Sequence, residues 1–461
     1  MSRRPPAPHR ASGRPPRALL LTLALFAGLA CRQDGSAHVD AVDRRLLFVG
    51  IDGATWTVMG PMIARGELPT FARLVREGAF MERFGTMETT RSPIVWTTVA
   101  TGREPEAHGV QDFAVRLPDG SRIPVTSSQR RARAIWELAS RRGLTVGVIG
   151  WWATWPAEQV DGYVVTDHAN PALSELMYRD GRYWTAERER LSAIGRDFLP
   201  VDLAPLLLDH WIRRDDYPWD ELERRGGFTD EQIAAVRAAP WDERQVHSWL
   251  KMFFSVDYPL VQAAVELARE RPVDLQMVYL RAADPVQHYG WDLFEPEAFA
   301  RPPENLERDR GLVEGVYRYV DTFLAELMAT RRPGDWLIVA SDHGAEASHH
   351  ARQPERMDRP GEHPPSAKGV LFLDGAGVVA GRRLRDADPY DLFPTMAWLL
   401  GLPLSEELPG RPLIEAFEND FVRSRPVTTV ATYGARPPQP LLRSPADEAM
   451  LENLRSLGYI E

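Results

Sequence analysis

Cysteine is almost absent. Cys31 is the only one in 461 residues, so the chain forms no internal disulfide and draws its stability from its core and from what it binds. Basic excess is missing too. The net charge is −10, which argues against a general nucleic-acid binder, because such a surface needs surplus cations to replace counterions. Long apolar runs are lacking: Ala18–Ala30 has 13 residues, short of the roughly 20 that a membrane-crossing helix needs. Repeats and low-complexity segments are missing as well. What remains is ordinary globular composition, 44% hydrophobic and 26% charged. That is enough for one large domain with an inserted cap, or for two domains. Fourteen Trp and 38 Pro suggest rigid loops and aromatic-walled clefts.

Residues 1–31 read as an export signal rather than as fold. Residues 1–17 carry five Arg and no acid, the apolar run follows, and Cys31 comes directly after it. Small residues before a lone Cys fit a bacterial lipoprotein cleavage site, although Gly28 stands where a branched aliphatic is usual. This predicts a lipidated Cys31 and an anchored protein facing the periplasm. The competing reading is an ordinary signal peptide with an incidental thiol, and so a soluble periplasmic or secreted protein. Arg3–Arg4 is followed by Pro-Pro, against a twin-arginine signal. Residues 32–43 read as a polar tether and 44–461 as the functional domain.

Arg44–Ile51 (RRLLFVGI) ends in a continuous apolar run of the kind a buried parallel strand shows, and it stops at Asp52-Gly53. Leu144–Gly150, Val273–Leu280, Trp336–Ala340 and Gly369–Leu373 are further strand candidates. Pro69–Glu77 reads as a helix with Pro near its start and Gly78 after its end. Ala132–Arg142 and Leu312–Ala329 are other helices. The alternation predicts an α/β fold: a largely parallel central sheet with helices on both faces. Residues from about 170 to 260 interrupt it with Trp, Tyr, Arg, Asp and short helical pieces, and read as an inserted, mainly helical cap.

The chemistry gathers at strand ends. Asp52, Asp284 and Asp342 each closely follow a strand candidate, and in open α/β sheets the ligand crevice lies beyond the carboxyl ends of the strands. One such Asp is as readily a helix cap. Three that converge repel one another unless cations separate them. Two of them bring a His: Asp284-Pro-Val-Gln-His288, which lets both side chains face one ion, and Asp342-His343. His349, His350 and His363 follow in one loop. Carboxylate oxygen with imidazole nitrogen suits zinc or manganese. His38, His168, His210 and His247 read as structural or surface residues. Ser92-Pro93 is a helix start. Ser92 is therefore a cap, or else a nucleophile at a helix N-terminus where backbone N–H groups attract phosphate.

Taken together, these stretches resemble the alkaline phosphatase superfamily. The closest branch is the type I phosphodiesterase and nucleotide pyrophosphatase group, with its phosphohydrolase and phosphomutase relatives. The resemblance rests on Gly50–Trp56 (GIDGATW), Ser92–Val110, Ala283–His288 (ADPVQH), Ser341–Gly344 (SDHG) and Tyr390–Leu400, and spans about 44–461. It implies two divalent metals, most often zinc and in some members manganese. Asp284, His288 and His363 would hold one. Asp52, Asp342, His343 and the Ser92 oxygen would hold the other. His349 or His350 is the alternative to His363. The slot where the phosphodiesterases carry a phosphate-binding Asn holds Phe113 here, which favours the phosphohydrolase and phosphomutase relatives.

The implied activity is hydrolysis of phosphate mono- or diesters through a phospho-Ser92 intermediate. Phosphomutase or phosphoryl/phosphoethanolamine transfer on the same fold is one rival, and a non-catalytic, metal-stabilised binding lipoprotein is another. Ser92-Pro93-Ile94-Val95-Trp96 lacks the sulfatase maturation motif. The expected substrate is a phosphorylated small molecule, lipid head group or glycan. The membrane is reached only through the Cys31 anchor. Trp151, Trp152, Trp155, Tyr178 and Trp184 line a substrate wall or simply pack in the core. Arg91 and Arg103 are phosphate contacts or plain surface residues.

Overall fold

Three adjacent strands define the molecule: β1 (Leu46–Ile51) lies between Leu275–Leu280 and Trp336–Ala340, and all three run parallel. Their residues are buried throughout, which is why these stretches are apolar without alternation. The structure is a computed structural model. It describes residues 44–169, 196–210, 217–240, 242, 244–281, 283–443, 447–456 and 460. The expected export signal, Cys31, the expected tether, Tyr178 and Trp184 lie outside these. Among the described residues, no helix is long and apolar enough to cross a membrane.

The remaining strands of the main sheet are β2 (Ala79–Phe84), β3 (Val146–Ile149), β4 (Gly162–Val165) and β5 (Phe198–Leu199), then β8 (Gly369–Asp374) and β9 (Arg382–Arg383). With β6 for Leu275–Leu280 and β7 for Trp336–Ala340, the order is β9-β2-β8-β7-β1-β6-β3-β4-β5. The five central strands β7-β1-β6-β3-β4 are mutually parallel. β8 runs antiparallel to both its neighbours, and β5 antiparallel to β4. An apolar run does not encode its direction, so Gly369–Leu373 gave no sign of this reversal.

Helices cover both faces. Alternate residues of β1 divide between two cores: Leu47, Val49 and Ile51 face one, Leu46 and Phe48 the other. The first face carries α1 (Trp56–Ala64), α2 (Pro69–Glu77), α5 (Val246–Glu270), α6 (Ala283–Phe294) and α7 (Leu312–Met328). The second carries α3 (Ser92–Thr101), α4 (Ile135–Arg141) and α8 (Pro389–Leu399). Where described, residues 170–260 are mainly helical, and their buried side chains, Trp249 and Leu260 among them, join the first core. Trp151 and Trp155 are buried, and Trp151 packs in the second core.

Candidate active site

Because β7, β1 and β6 are neighbours, the loops leaving their carboxyl ends are neighbours too. Asp52 directly follows β1, Asp342 lies two residues beyond β7, and Asp284 is the second residue of α6 beyond β6. All three carboxyl groups are buried. Gly53 makes the approach possible. Its φ is +70°, and a Cβ there would meet the Cα and Cβ of Asp284 at 3.0 Å, so a side chain is disfavoured on both counts.

The imidazoles close the cluster. His288 stands one helical turn after Asp284, with Nε2 3.4 Å from Asp284 Oδ1. His363 Nε2 is 3.9 Å from the same oxygen. His343 Nε2 lies 3.3 Å from Asp52 Oδ1 and 3.6 Å from Asp342 Oδ2. The His343 and His363 rings are 4.0 Å apart, and those of His288 and His363 4.8 Å. Two sets of potential ligand atoms result, Asp284–His343–His363 and Asp52–Asp342–His343, each within 4.8 Å of one another. His349 stands apart: its side chain is exposed and bonded to Glu362. His168 stacks on Trp155, His210 meets Glu266 and His247 meets Asp309.

The donor set fits divalent cations. Each imidazole is oriented through Nδ1: His288 to the Gly361 carbonyl at 2.9 Å, His343 to the Gly344 carbonyl at 2.9 Å, and His363 to Thr90 Oγ1 at 3.0 Å. The two carbonyls can only accept, which fixes for His288 and His343 the tautomer that leaves Nε2 for a metal. His343 Nε2 and Asp342 Oδ2 are buried without a hydrogen-bond partner, an arrangement that is costly unless something else satisfies them. Electrostatics agree. Burial and the Asp52 charge hold the Asp342 carboxyl well above its usual range. Burial would lower His343, yet the charges of Asp342, Asp52 and Asp284 push it up to about 10. Burial, with the His343 charge, holds His363 well below its ordinary value. Asp342 and His343 thus lie amid an excess of negative charge.

Ser92 is the first residue of α3, and Arg91 rather than Ser92 is its N-cap. Capping therefore does not occupy the hydroxyl. Instead Oγ donates to Asp52 Oδ1 at 3.4 Å. Arg91 pairs with Asp112 at the surface, and Arg103 with Glu407. Phe113 is buried with its ring edge-on to Trp152, 5.8 Å away, so its side chain offers no hydrogen bond to a phosphate.

Several supporting residues escaped the sequence reading. Tyr279 donates to Asp52 Oδ2. Burial, with the charges of Asp52 and Asp342, keeps its phenol protonated far above the ordinary range. Gln287 donates through Nε2 to the Gly53 carbonyl at 2.7 Å and accepts through Oε1 from the Tyr317 hydroxyl at 2.9 Å, whose oxygen receives the Thr55 N–H. One signal was present: Gln287 lies inside the Asp284–His288 motif, a polar residue at the start of a helix packed on the sheet.

The chain is similar to several known proteins. Over 110 residues, 24% of this chain, it is 39% identical to the 2,3-bisphosphoglycerate-independent phosphoglycerate mutase of Cereibacter sphaeroides. The shared stretch spans only 19% of that mutase. Among solved structures, human ectonucleotide pyrophosphatase / phosphodiesterase 5 overlays with a TM-score of 0.46 at 13% identity, covering 81% of this chain and 98% of that one. The murine protein gives 0.47 at 12% identity, covering 81% and 100%. The family described as type I phosphodiesterase / nucleotide pyrophosphatase matches residues 46–384, and the chain belongs to that family of enzymes acting on phosphate esters.

Proposed function

We propose that the protein hydrolyses phosphate esters with Ser92 as nucleophile and two divalent cations, zinc or manganese, as cofactors. Asp284, His288 and His363 would hold one cation, and Asp52, Asp342, His343 and Ser92 Oγ the other. When bound, the cations supply positive charge that lowers the hydroxyl pKa and stabilises the phosphoryl oxygens. Asp52 aims the nucleophile: the Ser92 hydroxyl is hydrogen-bonded to its Oδ1. Ser92 Oγ attacks phosphorus, the new Oγ–P bond forms as the bond to the leaving alcohol breaks, and that alcohol departs with the proton Ser92 gave up. Water then cleaves phospho-Ser92, releasing phosphate or a phosphomonoester and restoring the hydroxyl.

The observation that carries this reading is the 3.4 Å contact between Ser92 Oγ and Asp52 Oδ1, at the edge of a buried cluster with unsatisfied ligand atoms. The test is Ser92→Ala assayed on chromogenic phosphate mono- and diesters with zinc and with manganese. Lost turnover with metal content retained supports the reading, and full activity rejects it.

A second reading is phosphoryl transfer to another hydroxyl, as in a phosphomutase. Two observations favour it: the stretch shared with the phosphoglycerate mutase, and Phe113 in place of a phosphate-binding amide. Product analysis with and without an alcohol acceptor separates the two. The expected address, exported and lipid-anchored at Cys31, belongs to the same proposal. Mass spectrometry of the mature N-terminus tests it.

A further inference from the structure

The two oxygens of Asp52 are not equivalent. Oδ1 lies 3.4 Å from Ser92 Oγ and 3.3 Å from His343 Nε2. Oδ2 is turned the other way and accepts the Tyr279 hydroxyl. The phenol oxygen in turn accepts from Trp152 Nε1 at 2.8 Å. Asp342 is arranged alike: Oδ1 accepts the Gly53 N–H at 3.4 Å, while Oδ2 lies 3.6 Å from His343 Nε2. In each carboxylate one oxygen is tied to a protein donor and the other faces the cluster.

The Tyr279 ring has little freedom. It stands on β6 in register with Gly50 of β1, two residues before Asp52. Trp96 meets it edge-on at 5.2 Å, and Trp152 at 6.3 Å. The Arg281 guanidinium lies 5.1 Å from the ring centroid and is itself held by the Gly150 carbonyl at 3.1 Å. A fully buried ring so enclosed delivers its hydroxyl to one point.

We propose that Tyr279, steadied by Trp152, is a positioning residue for Asp52. By occupying Oδ2 it makes Asp52 a ligand through Oδ1 alone and keeps that oxygen facing both the cation and the nucleophile. A carboxylate with both oxygens unrestrained can rotate or chelate through both. A neutral phenol prevents this without adding charge, and partners of this kind are worth about 10–100-fold in metal affinity. The chain Trp152–Tyr279–Asp52 thus preorganises one of the two cation sites and leaves the other untouched. This inference rests on the two-cation reading above.

The test is zinc titration of metal-free protein against a chromogenic chelator, for the unmodified chain, Asp52→Asn, Tyr279→Phe and Trp152→Phe. Two binding steps are expected in the unmodified chain, and Asp52→Asn identifies which one involves Asp52. Tyr279→Phe weakens that step about 10–100-fold, leaves the Asp284–His288–His363 step in place, and regains turnover as zinc is raised. Trp152→Phe weakens the same step by a smaller factor. The inference is overturned if Tyr279→Phe titrates like the unmodified chain. It is equally overturned if both steps shift together, which is the mark of a purely structural role. If Tyr279→Phe does not fold, Trp152→Phe decides alone: a shift confined to the Asp52 step supports the inference, and no shift overturns it. Failure of the unmodified chain to take up zinc, or retention of both steps in Asp52→Asn, means instead that the two-cation reading has failed, and this inference with it.

Discussion

Ser92 Oγ and Asp52 Oδ1 meet across 3.4 Å, joining the first residue of α3 to the residue that follows β1. In the proposed site the cation beside Ser92 keeps three other groups, Asp52, Asp342 and His343, when the hydroxyl is removed. Ser92→Ala is therefore expected to lower kcat by about 1,000-fold or more while bound zinc, measured by elemental analysis, changes little. Retained turnover in this variant removes Ser92 from the mechanism.

Without the proposed cations, Asp52, Asp284 and Asp342 face one another with little beyond His343 to offset their charge. A ligand at about 100 times its dissociation constant stabilises the folded state by about 2.7 kcal/mol. Treatment with a chelator is expected to abolish turnover and lower the melting temperature by several degrees, with both restored by zinc. A melting temperature indifferent to chelation and to added zinc contradicts the prediction.

Gly53→Ala places a side chain where φ is +70° and where Asp284 stands 3.0 Å from the added atom. The left-handed backbone alone costs about 1–2 kcal/mol, and displacement of α6 pulls Asp284 and His288 from the cluster. Both the denaturation midpoint and zinc affinity are expected to fall. A variant with unaltered zinc affinity shows that α6 accommodates the methyl group without moving the ligands.

His108 gives the protein an acid-sensitive point away from the cluster. Its Nδ1 accepts the Val110 N–H at 3.1 Å, so Nε2 donates to Thr98 Oγ1, also at 3.1 Å. Burial, with the Arg130 charge, lowers its pKa to about 3. The native state thus favours the neutral ring, while the unfolded chain takes up a proton near pH 6.5. The contribution is complete above pH 6.5 and is lost as pH falls toward 3, at up to about 1.4 kcal/mol per pH unit. Chemical denaturation between pH 7 and 5 is expected to show this slope. His108→Gln is expected to reduce it while lowering stability at neutral pH.

Much of this was legible in the chain, and the exceptions have physical causes. β1 and β7 were readable because both faces of each are covered, so every position is apolar. β2 was not, because its burial alternates and Glu82 and Arg83 interrupt the run. The meeting of Asp52, Asp284 and Asp342 followed from the rule that crevices form at strand ends. Tyr279 was hidden for the opposite reason. Its ring belongs to the core, as an aromatic in a buried strand should, and only the hydroxyl reaches Asp52. Ser92 also needed coordinates, since Ser-Pro reads as a cap as well, and only the direction of Oγ sets capping aside.

The order of the central strands has a consequence for how the protein is made. Residues 52, 284, 342 and 363 reach one point only after β6 and β7 have taken their places beside β1. Neither proposed ligand set is complete in an amino-terminal fragment ending before residue 342. The proposed metal centre therefore depends on chain from β1 through residue 363, and cation uptake would report that the middle of the sheet is in place.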